Sequence, residues 1–551
     1  MNEPSLIRAL CIAPLLLIAA MSARAEPSAI VSASLASPAN ARIRLWGAPA
    51  WREQISGWYE LRGNRPAWFE GSQVTRAAAS LLAEMRAAES RGLDSSDYRG
   101  NELATRVAAL PASAADSMIL ALDAEITIRA ARFMADLHGG RVSPREAGHD
   151  LAVPHAALDL RATLDALLET RDTRGLIDDY EPGFHHYDLL KRALERYQEL
   201  ALEPGLNTLP ALPRRSVKPG ERYEGMPQLR HLLRELGDLG ADPTVEDPAV
   251  LDPAASAALR SFQERHGLAS DGALGSRTFA ALTTPLTQRV RQIEASLERS
   301  RWLPAQLDSP PIIVNIPQFK LFAFYTTQDR EAAILQMNVV VGKVFPRNNT
   351  PVFAADMRYI VLRPYWDVPP SIARDELLPK IRRDPGWIER NDFELVDGQG
   401  DDSPVVAPSP ESIAALESGA LRIRQRPGDS NSLGLVKFMF PNPYNVYLHG
   451  TPAQRLFAEP SRAFSHGCVR VEDPLRLAQF VLRDDPGWSA ERLAAALPEA
   501  SAQRVPLQRP IRVFIFYATA IATESGRVFF LDDIYGHDRK LAALLARRRS
   551  G

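Results

Sequence analysis

The chain has 551 residues, of which 45% are hydrophobic and 24% are charged, an ordinary composition for a globular protein. A formal net charge of −2 gives no sign of the basic footprint of a nucleic-acid-binding protein, so nucleic acid is not an expected partner. The two cysteines, Cys11 and Cys468, are too few for a disulfide framework. The length predicts roughly three or four domains.

Residues 1–25 predict a secretory signal peptide. Arg8 precedes an apolar run from Ala9 to Met21, and residues 23–25 form an Ala-x-Ala cleavage site. The apolar run is too short to span a bilayer comfortably, which favours cleavage over the alternative of an uncleaved membrane anchor. The mature, exported chain would then keep one cysteine, Cys468.

Residues 43–202 predict a helical scaffold domain. The segment is rich in alanine, and apolar residues recur there at helical spacing. Examples are Ile126, Ala130, Phe133, Met134 and Leu137. The neighbouring His185 and His186 do not predict a metal site, because adjacent residues on a helix point in different directions.

Residues 203–224 predict a linker with four prolines, and residues 225–285 predict a compact unit of three short helices. Asp252 is placed to cap the second helix, with Pro253 at its first position, and Gly267 ends it.

The order of residues in this unit is specific. It runs through Phe262-Gln263, His266-Gly267-Leu268, Asp271-Gly272 and Thr278. This order resembles the three-helix peptidoglycan-binding domain, and the resemblance implies peptidoglycan as a partner. Most of these positions are core and turn positions, so they identify the fold rather than a binding surface.

Residues 310–500 predict a mostly-β domain. β-branched and aromatic runs at 312–316, 320–325 and 337–342 alternate with turn residues. A helical pattern in residues 372–435 interrupts the strands and predicts a lid-like insertion. Two last strands, at 511–517 and 527–531, are predicted within the C-terminal segment 505–551.

Cys468 is the candidate nucleophile. A thiol attacks carbonyls usefully only as a thiolate, so a base or a cation must lower its pKa. His449, His466 and Arg470 are the candidates for that effect. Gly467 has no side chain, so the amides of Gly467 and Cys468 are candidate oxyanion-hole donors. The structural alternative is a small buried hydrophobe.

The pair of runs His449-Gly450-Thr451-Pro452 and Ser465-His466-Gly467-Cys468 resembles the L,D-transpeptidase (YkuD-type) catalytic domain. The resemblance extends to residues 314–317, 341–343, 350–353 and 364–372. Together with the scaffold and the peptidoglycan-binding unit, it resembles the large members of Gram-negative bacteria. It implies an α+β multidomain fold and a periplasmic enzyme of cell-wall organisation and cell shape.

The resemblance implies a cysteine acyltransferase that needs no cofactor and no metal. Cys468 would attack the carbonyl of the third stem residue, usually meso-diaminopimelate, and release the terminal D-Ala. The amine of a second stem would then resolve the thioester into a 3→3 cross-link. His449 would be the base, with its ring oriented by the carbonyl of Gly450.

Further roles follow from the same resemblance. His466 and Ser465 would shape the site, Arg470 would hold a substrate carboxylate, and Tyr447 and Trp366 would line the cleft. Carbapenems are implied as inhibitors that acylate the cysteine. Whether the protein works beside other cell-wall synthesis enzymes stays open.

Three alternatives remain. An L,D-carboxypeptidase or a cross-link-cleaving hydrolase would use the same residues, with water in place of the amine. A cell-wall-binding protein with a decayed catalytic domain would have no reason to keep Cys468. An ordinary cysteine peptidase would leave the peptidoglycan-binding unit unexplained.

Overall fold

The computed structural model describes residues 26–151, 156–240, 247–304, 307–344, 348–499 and 501–550. The signal peptide predicted at residues 1–25 lies outside these ranges. Within them, none of the helices combines the length and the apolar character needed to cross a bilayer.

The helices are α1 (Pro27–Ala36), α2 (Pro38–Ala41), α3 (Trp51–Leu61), α4 (Arg76–Arg86), α5 (Gly100–Ala108), α6 (Asp116–Gly139), α7 (Pro144–Ala147), α8 (Leu160–Glu169), α9 (Thr173–Asp179), α10 (His185–Leu202), α11 (Met226–Glu235), α12 (Pro253–Arg265), α13 (Ser276–Leu282), α14 (Leu286–Ser300), α15 (Pro370–Ile372), α16 (Leu378–Arg383), α17 (Trp387–Arg390), α18 (Pro410–Ser418), α19 (Pro474–Val481), α20 (Ala490–Ala496) and α21 (His537–Ser550). A π-helical turn, Ala373–Leu377, joins α15 to α16.

The strands are β1 (Phe69–Glu70), β2 (Gln73–Val74), β3 (Ser216–Val217), β4 (Leu274–Gly275), β5 (Ile312–Asn315), β6 (Lys320–Ala323), β7 (Leu335–Gly342), β8 (Phe353–Leu362), β9 (Trp366–Asp367), β10 (Phe393–Val396), β11 (Val405–Val406), β12 (Arg422–Gln425), β13 (Val436–Met439), β14 (Leu448–His449), β15 (Ala463–Ser465), β16 (Val469–Val471), β17 (Gln503–Phe516), β18 (Ala520–Ala522) and β19 (Val528–Phe530).

The N-terminal part is helical, as the sequence predicted, with α6 at its centre. This helix is buried around most of its circumference, which is typical of a helix that other elements surround. Its one buried carboxylate near the N-terminal end, Asp123, accepts hydrogen bonds from the Tyr59 hydroxyl at 2.5 Å and the Trp68 amide at 2.6 Å. The carboxylate thereby ties α3 and the following loop to α6.

The three helices predicted for residues 225–285 are α11, α12 and α13. They share one apolar core with α10, α14 and the C-terminal hairpin β18–β19. Arg265 on α12 is 1% exposed, forms an ion pair with Asp238 at 2.5 Å and donates to the Val528 carbonyl at 2.9 Å. The residues before α11 also join this unit, since β3 pairs with β4.

Eight strands of the mostly-β part form a closed ring in the order β7-β16-β14-β13-β8-β17-β5-β6, and β6 pairs back with β7. β15 adds a parallel edge to β7. The apolar side chains of alternate residues fill the ring, as the period of two in a strand requires.

β17 corrects the predicted boundary at residue 500. The sequence placed the strand from Ile511 in a separate C-terminal segment, whereas the structure places Gln503–Phe516 between β8 and β5. Among the strands that the structure describes, β17 is the one that pairs with both of those neighbours, so it completes the ring.

The insertion predicted as helical also contains a sheet. The insertion contributes β10, β11 and β12, which form an antiparallel sheet in the order β9-β12-β10-β11 with β9, the strand that precedes the insertion, and α15–α18 accompany the sheet. This part has its own apolar core, centred on Ile381, Leu395 and Ile423. Residues 393–396 have the strand burial pattern, and their tertiary partner at residues 422–425 decides the assignment.

Candidate active site

Cys468 lies in the short turn between β15 and β16, on the outer face of the closed sheet. β16 runs parallel to β14, with Leu448 opposite Val469 and His449 opposite Arg470. Leu448 and Val469 are buried in the ring. Because successive side chains of a strand point to opposite faces, the residues on either side of them face outward. Tyr447, His449, Cys468 and Arg470 therefore share one face.

A third strand adds a cation that sequence reasoning missed. Lys437 on β13 pairs with His449, and its Nζ lies 4.1 Å from the centroid of the Tyr447 ring. A signal was present: Lys437 stands between Val436 and Phe438, both buried in the ring. A lone cation in such an alternation must point to the outer face, and only the strand pairing shows that this face holds the cysteine.

Hydrogen bonds fix the shape of the cysteine turn. The Ser465 hydroxyl donates to the Cys468 carbonyl at 2.5 Å and accepts from the Gly467 amide at 3.1 Å. The Thr350 hydroxyl donates to the Gly467 carbonyl at 2.8 Å. Gly467 has φ +118°, a conformation that side chains disfavour, so glycine is required for the backbone itself.

These bonds separate the two candidate oxyanion-hole donors. The Gly467 amide is engaged by Ser465, whereas the Cys468 amide has no hydrogen-bond partner within the described ranges. The Cys468 amide is therefore the donor that this conformation leaves available.

His449 is 5% exposed, and its Nδ1 lies 2.6 Å from the Gly450 carbonyl. A carbonyl can only accept, so Nδ1 carries the proton and the neutral ring keeps its lone pair on Nε2. Burial, and then the charge of Arg470, lowers the pKa of His449 to about 3. The ring is neutral at neutral pH and able to accept a proton.

The thiol is protonated in this arrangement. Burial raises the pKa of Cys468, and this effect exceeds the opposing effects of the Tyr447 amide and hydroxyl and of the cations Lys437 and Arg470. The thiol donates to the Asn445 carbonyl at 3.7 Å, not to His449. Asn445 was not singled out in the sequence; it has φ +53°, a conformation that asparagine tolerates better than most residues.

His466 points to the insertion. Its Nε2 lies 2.6 Å from Oε1 of Glu376, in the π-helical turn between α15 and α16. Trp366 lies just before the insertion and contacts it: it pairs with Gln425, and its ring centroid lies 6.1 Å from that of Phe393. The insertion therefore contacts the cysteine turn through His466.

Comparison with known families agrees with this organisation. Residues 53–194 match the family described as a scaffold domain, residues 222–282 match a "Putative peptidoglycan binding domain", and residues 310–488 match the L,D-transpeptidase catalytic domain. The last match includes Cys468 and His449 and ends before β17, the strand that completes the ring.

A Haemophilus influenzae protein named "Putative L,D-transpeptidase" is 36% identical over 231 residues. The match covers 42% of this chain and 45% of that protein, so it spans just under half the length of the relative. The region with the closed β sheet, which carries a cysteine beside a neutral histidine, therefore matches the L,D-transpeptidase catalytic domain, and the regions before it match a scaffold domain and a peptidoglycan-binding domain.

Proposed function

We propose that the protein forms 3→3 cross-links in peptidoglycan through a thioester on Cys468. The observation that carries this proposal is the shared outer face of β14 and β16, where a thiol and a buried neutral imidazole lie on adjacent strands. An acyl transfer through a thiol needs a nucleophile, a base that is unprotonated at working pH, and a donor for the developing oxyanion.

In the first step, the thiol leaves the Asn445 carbonyl, its proton passes to Nε2 of His449, and Sγ attacks the carbonyl of the third stem residue. The Cys468 amide stabilises the negative charge on that carbonyl oxygen. The C–N bond to the terminal D-Ala breaks, and the leaving amine takes the proton from His449. The products are a thioester and free D-Ala.

In the second step, the side-chain amine of another stem attacks the thioester, and His449 takes a proton from that amine. The C–S bond breaks, the cross-link forms, and the thiol regains its proton. Gly450 would hold the His449 ring throughout, while Ser465 would keep the turn in shape. Arg470 and Tyr447 would contact the donor stem, with the Arg470 guanidinium facing a carboxylate.

The same proposal includes the substrate, the compartment and the inhibitors of the protein. Peptidoglycan is the substrate and the ligand of the three-helix unit, the working compartment is the periplasm, and carbapenems would acylate Cys468. The matched peptidoglycan-binding domain and catalytic domain support peptidoglycan as the common substrate of both parts.

The direct test is to incubate the purified protein with disaccharide-tetrapeptide and to read the products by mass. We expect a cross-linked dimer that lacks one D-Ala, because the amine resolves the thioester. A disaccharide-tripeptide without dimer would identify a hydrolase and contradict the proposed transfer. Absence of both products would contradict either activity.

The lid-like insertion, residues 372–435, is proposed to favour the amine over water. Glu376 on this insertion bonds to His466, next to the turn that carries the thioester. A closed cover excludes water from a reactive intermediate. Exposed ion pairs contribute little free energy, so losing this contact should change the ratio of hydrolysis to amine transfer only moderately.

We therefore expect Glu376→Ala to raise the ratio of tripeptide to dimer by roughly threefold to tenfold. The matched control is Glu417→Ala, which removes another exposed carboxylate of the insertion, paired with Arg382. An unchanged ratio in Glu376→Ala, or an equal change in the control, would show that the contact does not govern the choice between amine and water.

A further inference from the structure

Lys437 is a partly buried cation on the same face as Cys468. It lies on β13, one strand beyond His449, and its Nζ sits over the Tyr447 ring at 4.1 Å. Tyr447 shares this face with Cys468, and the Tyr447 hydroxyl and the Lys437 charge both act to lower the pKa of the Cys468 thiol, against the larger effect of burial. Lys437 therefore lies on the face at which a substrate of Cys468 would bind.

No carboxylate within the described ranges pairs with Lys437 at ion-pair distance. Asp367 contributes to the electrostatic environment of Lys437, yet the ion pair of Asp367 is with Arg422, at 2.5 Å. The Lys437 ammonium is half-buried, so it has lost part of its hydration. The aromatic ring beside it replaces only part of the lost interaction with water. A carboxylate of a bound ligand would compensate for the lost hydration of the ammonium.

Arg470, on β16, is a second cation without a carboxylate partner among the described residues. Its guanidinium forms no ion pair in the part of the chain that the structure describes, and its Nε is buried without a hydrogen-bond partner. Lys437 and Arg470 come from strands on either side of β14, and Tyr447 and His449 lie between them. Two cations that form no ion pair within the described ranges therefore lie on either side of the strand that carries His449.

We propose that Lys437 binds a carboxylate of the donor stem and thereby positions the scissile carbonyl at Cys468. This inference rests on the proposed function, since the donor stem is its ligand. The donor carries two suitable groups near the scissile bond: the carboxylate of the leaving D-Ala and the D-centre carboxylate of meso-diaminopimelate. Ammonium–carboxylate bonds are charge-assisted, so either one would contribute substantially to binding.

The test measures the rate of Cys468 acylation by mass, using three donors. The first is unmodified disaccharide-tetrapeptide, the second carries a primary amide at the terminal D-Ala, and the third carries a primary amide at the D-centre of meso-diaminopimelate. The proteins are the wild type, Lys437→Met, Lys437→Arg and the control Lys320→Met. Lys320 lies on β6, on the far side of the closed ring.

We expect Lys437→Met to acylate about 10–100-fold more slowly than the wild type on the unmodified donor, with Lys437→Arg recovering most of the rate. With one of the amidated donors, the acylation rate of the wild type should fall by the same factor. On that donor the rate of Lys437→Met should fall no further, because the interaction it lost is already absent. That donor identifies which carboxylate Lys437 binds. Lys320→Met should behave as the wild type.

Alkylation of Cys468 by iodoacetamide separates binding from effects on the thiol, because the reagent is small and uncharged. Its rate in Lys437→Met should stay within about threefold of the wild type. An equal loss in alkylation and acylation would overturn the inference and make Lys437 a residue that stabilises the thiolate. A full loss on both amidated donors, or acylation within twofold on the unmodified donor, would also overturn it.

The outcome for the wild type distinguishes the two proposals. If the wild type is acylated and Lys437→Met equals it, only the role of Lys437 is wrong. If iodoacetamide labels Cys468 but none of the donors acylates the wild type, the proposed function fails, and the carboxylate site is overturned with it.

Discussion

Cys468→Ser is expected to lower acyl transfer by a factor on the order of 10³ or more while leaving the fold intact. A hydroxyl has neither the acidity nor the nucleophilicity of a thiol, and His449 would have to remove a proton from a far weaker acid. Serine is close to cysteine in size, and the Cys468 side chain is half-buried at the surface, outside the apolar core of the ring. The substitution therefore removes the nucleophilic thiol without disturbing the packing of the apolar core.

The measurement is dimer formation from disaccharide-tetrapeptide, read by mass, with thermal unfolding as the control for the fold. Cys468→Ala should behave as Cys468→Ser does. A serine variant within tenfold of the wild type, with unchanged unfolding, would contradict the thioester mechanism.

The pH dependence of alkylation gives a second observable for Cys468. Burial raises the pKa of the thiol, so the thiolate fraction rises only as the pH approaches that raised value. We expect the rate of alkylation by iodoacetamide to keep rising through the range in which an ordinary thiol would have reached its plateau. A plateau near neutral pH would instead indicate a preformed thiolate.

His449→Ala is expected to lower acyl transfer by about 10²–10⁴-fold, the usual range for losing a general base. The ring is buried and neutral, and Nδ1 donates to the Gly450 carbonyl, which leaves Nε2 to accept the thiol proton. His466→Ala is the matched control, because His466 bonds to Glu376 and lies two residues from the cysteine. It should lower total thioester formation far less than His449→Ala does.

The sign of the pH effect follows from the lowered pKa. A histidine with an ordinary pKa near 6.5 gains a proton, and so loses its function as a base, as the pH falls through that value. With a pKa of about 3, His449 keeps its lone pair across that window. Single-turnover acylation, corrected for substrate ionisation, should therefore not acquire a titration of His449 between pH 7 and pH 5.

Two results would contradict the assignment of His449. One is a His449→Ala variant within threefold of the wild type in acylation. The other is a larger loss in His466→Ala than in His449→Ala, which would reverse the roles of the two histidines.

Local patterns in the sequence were enough to predict the main chemical groups. The run Ser465-His466-Gly467-Cys468 predicted Cys468 as the nucleophile and Gly467 as a position without a side chain, and the structure has Gly467 in a conformation that glycine adopts most easily. The resemblance to the L,D-transpeptidase catalytic domain implied that the Gly450 carbonyl orients the His449 ring, and the structure places that carbonyl 2.6 Å from Nδ1. The three helices of residues 225–285 follow from caps and apolar spacing, which act within a few residues.

Other features depend on contacts between distant segments, which local patterns do not specify. The alternation around Lys437 predicts a strand, but the pairing of β13 with β14 places its ammonium beside Tyr447. Likewise, the sequence places His466 two residues before Cys468, but only the structure shows that His466 bonds to Glu376 of the insertion.

By itself, the sequence determined the resemblance to the L,D-transpeptidase catalytic domain and the division into a helical part, a three-helix unit and a β-rich part, and it predicted a cysteine and a histidine as the reacting pair. Only the tertiary structure decided that β17 closes the ring, that the insertion builds a sheet with β9, and that Lys437 and Arg470, which form no ion pair within the described ranges, lie on either side of β14. The physical reason is the range of the forces involved. Capping, turn formation and periodicity act along a few residues, whereas strand pairing and burial join residues far apart in the chain.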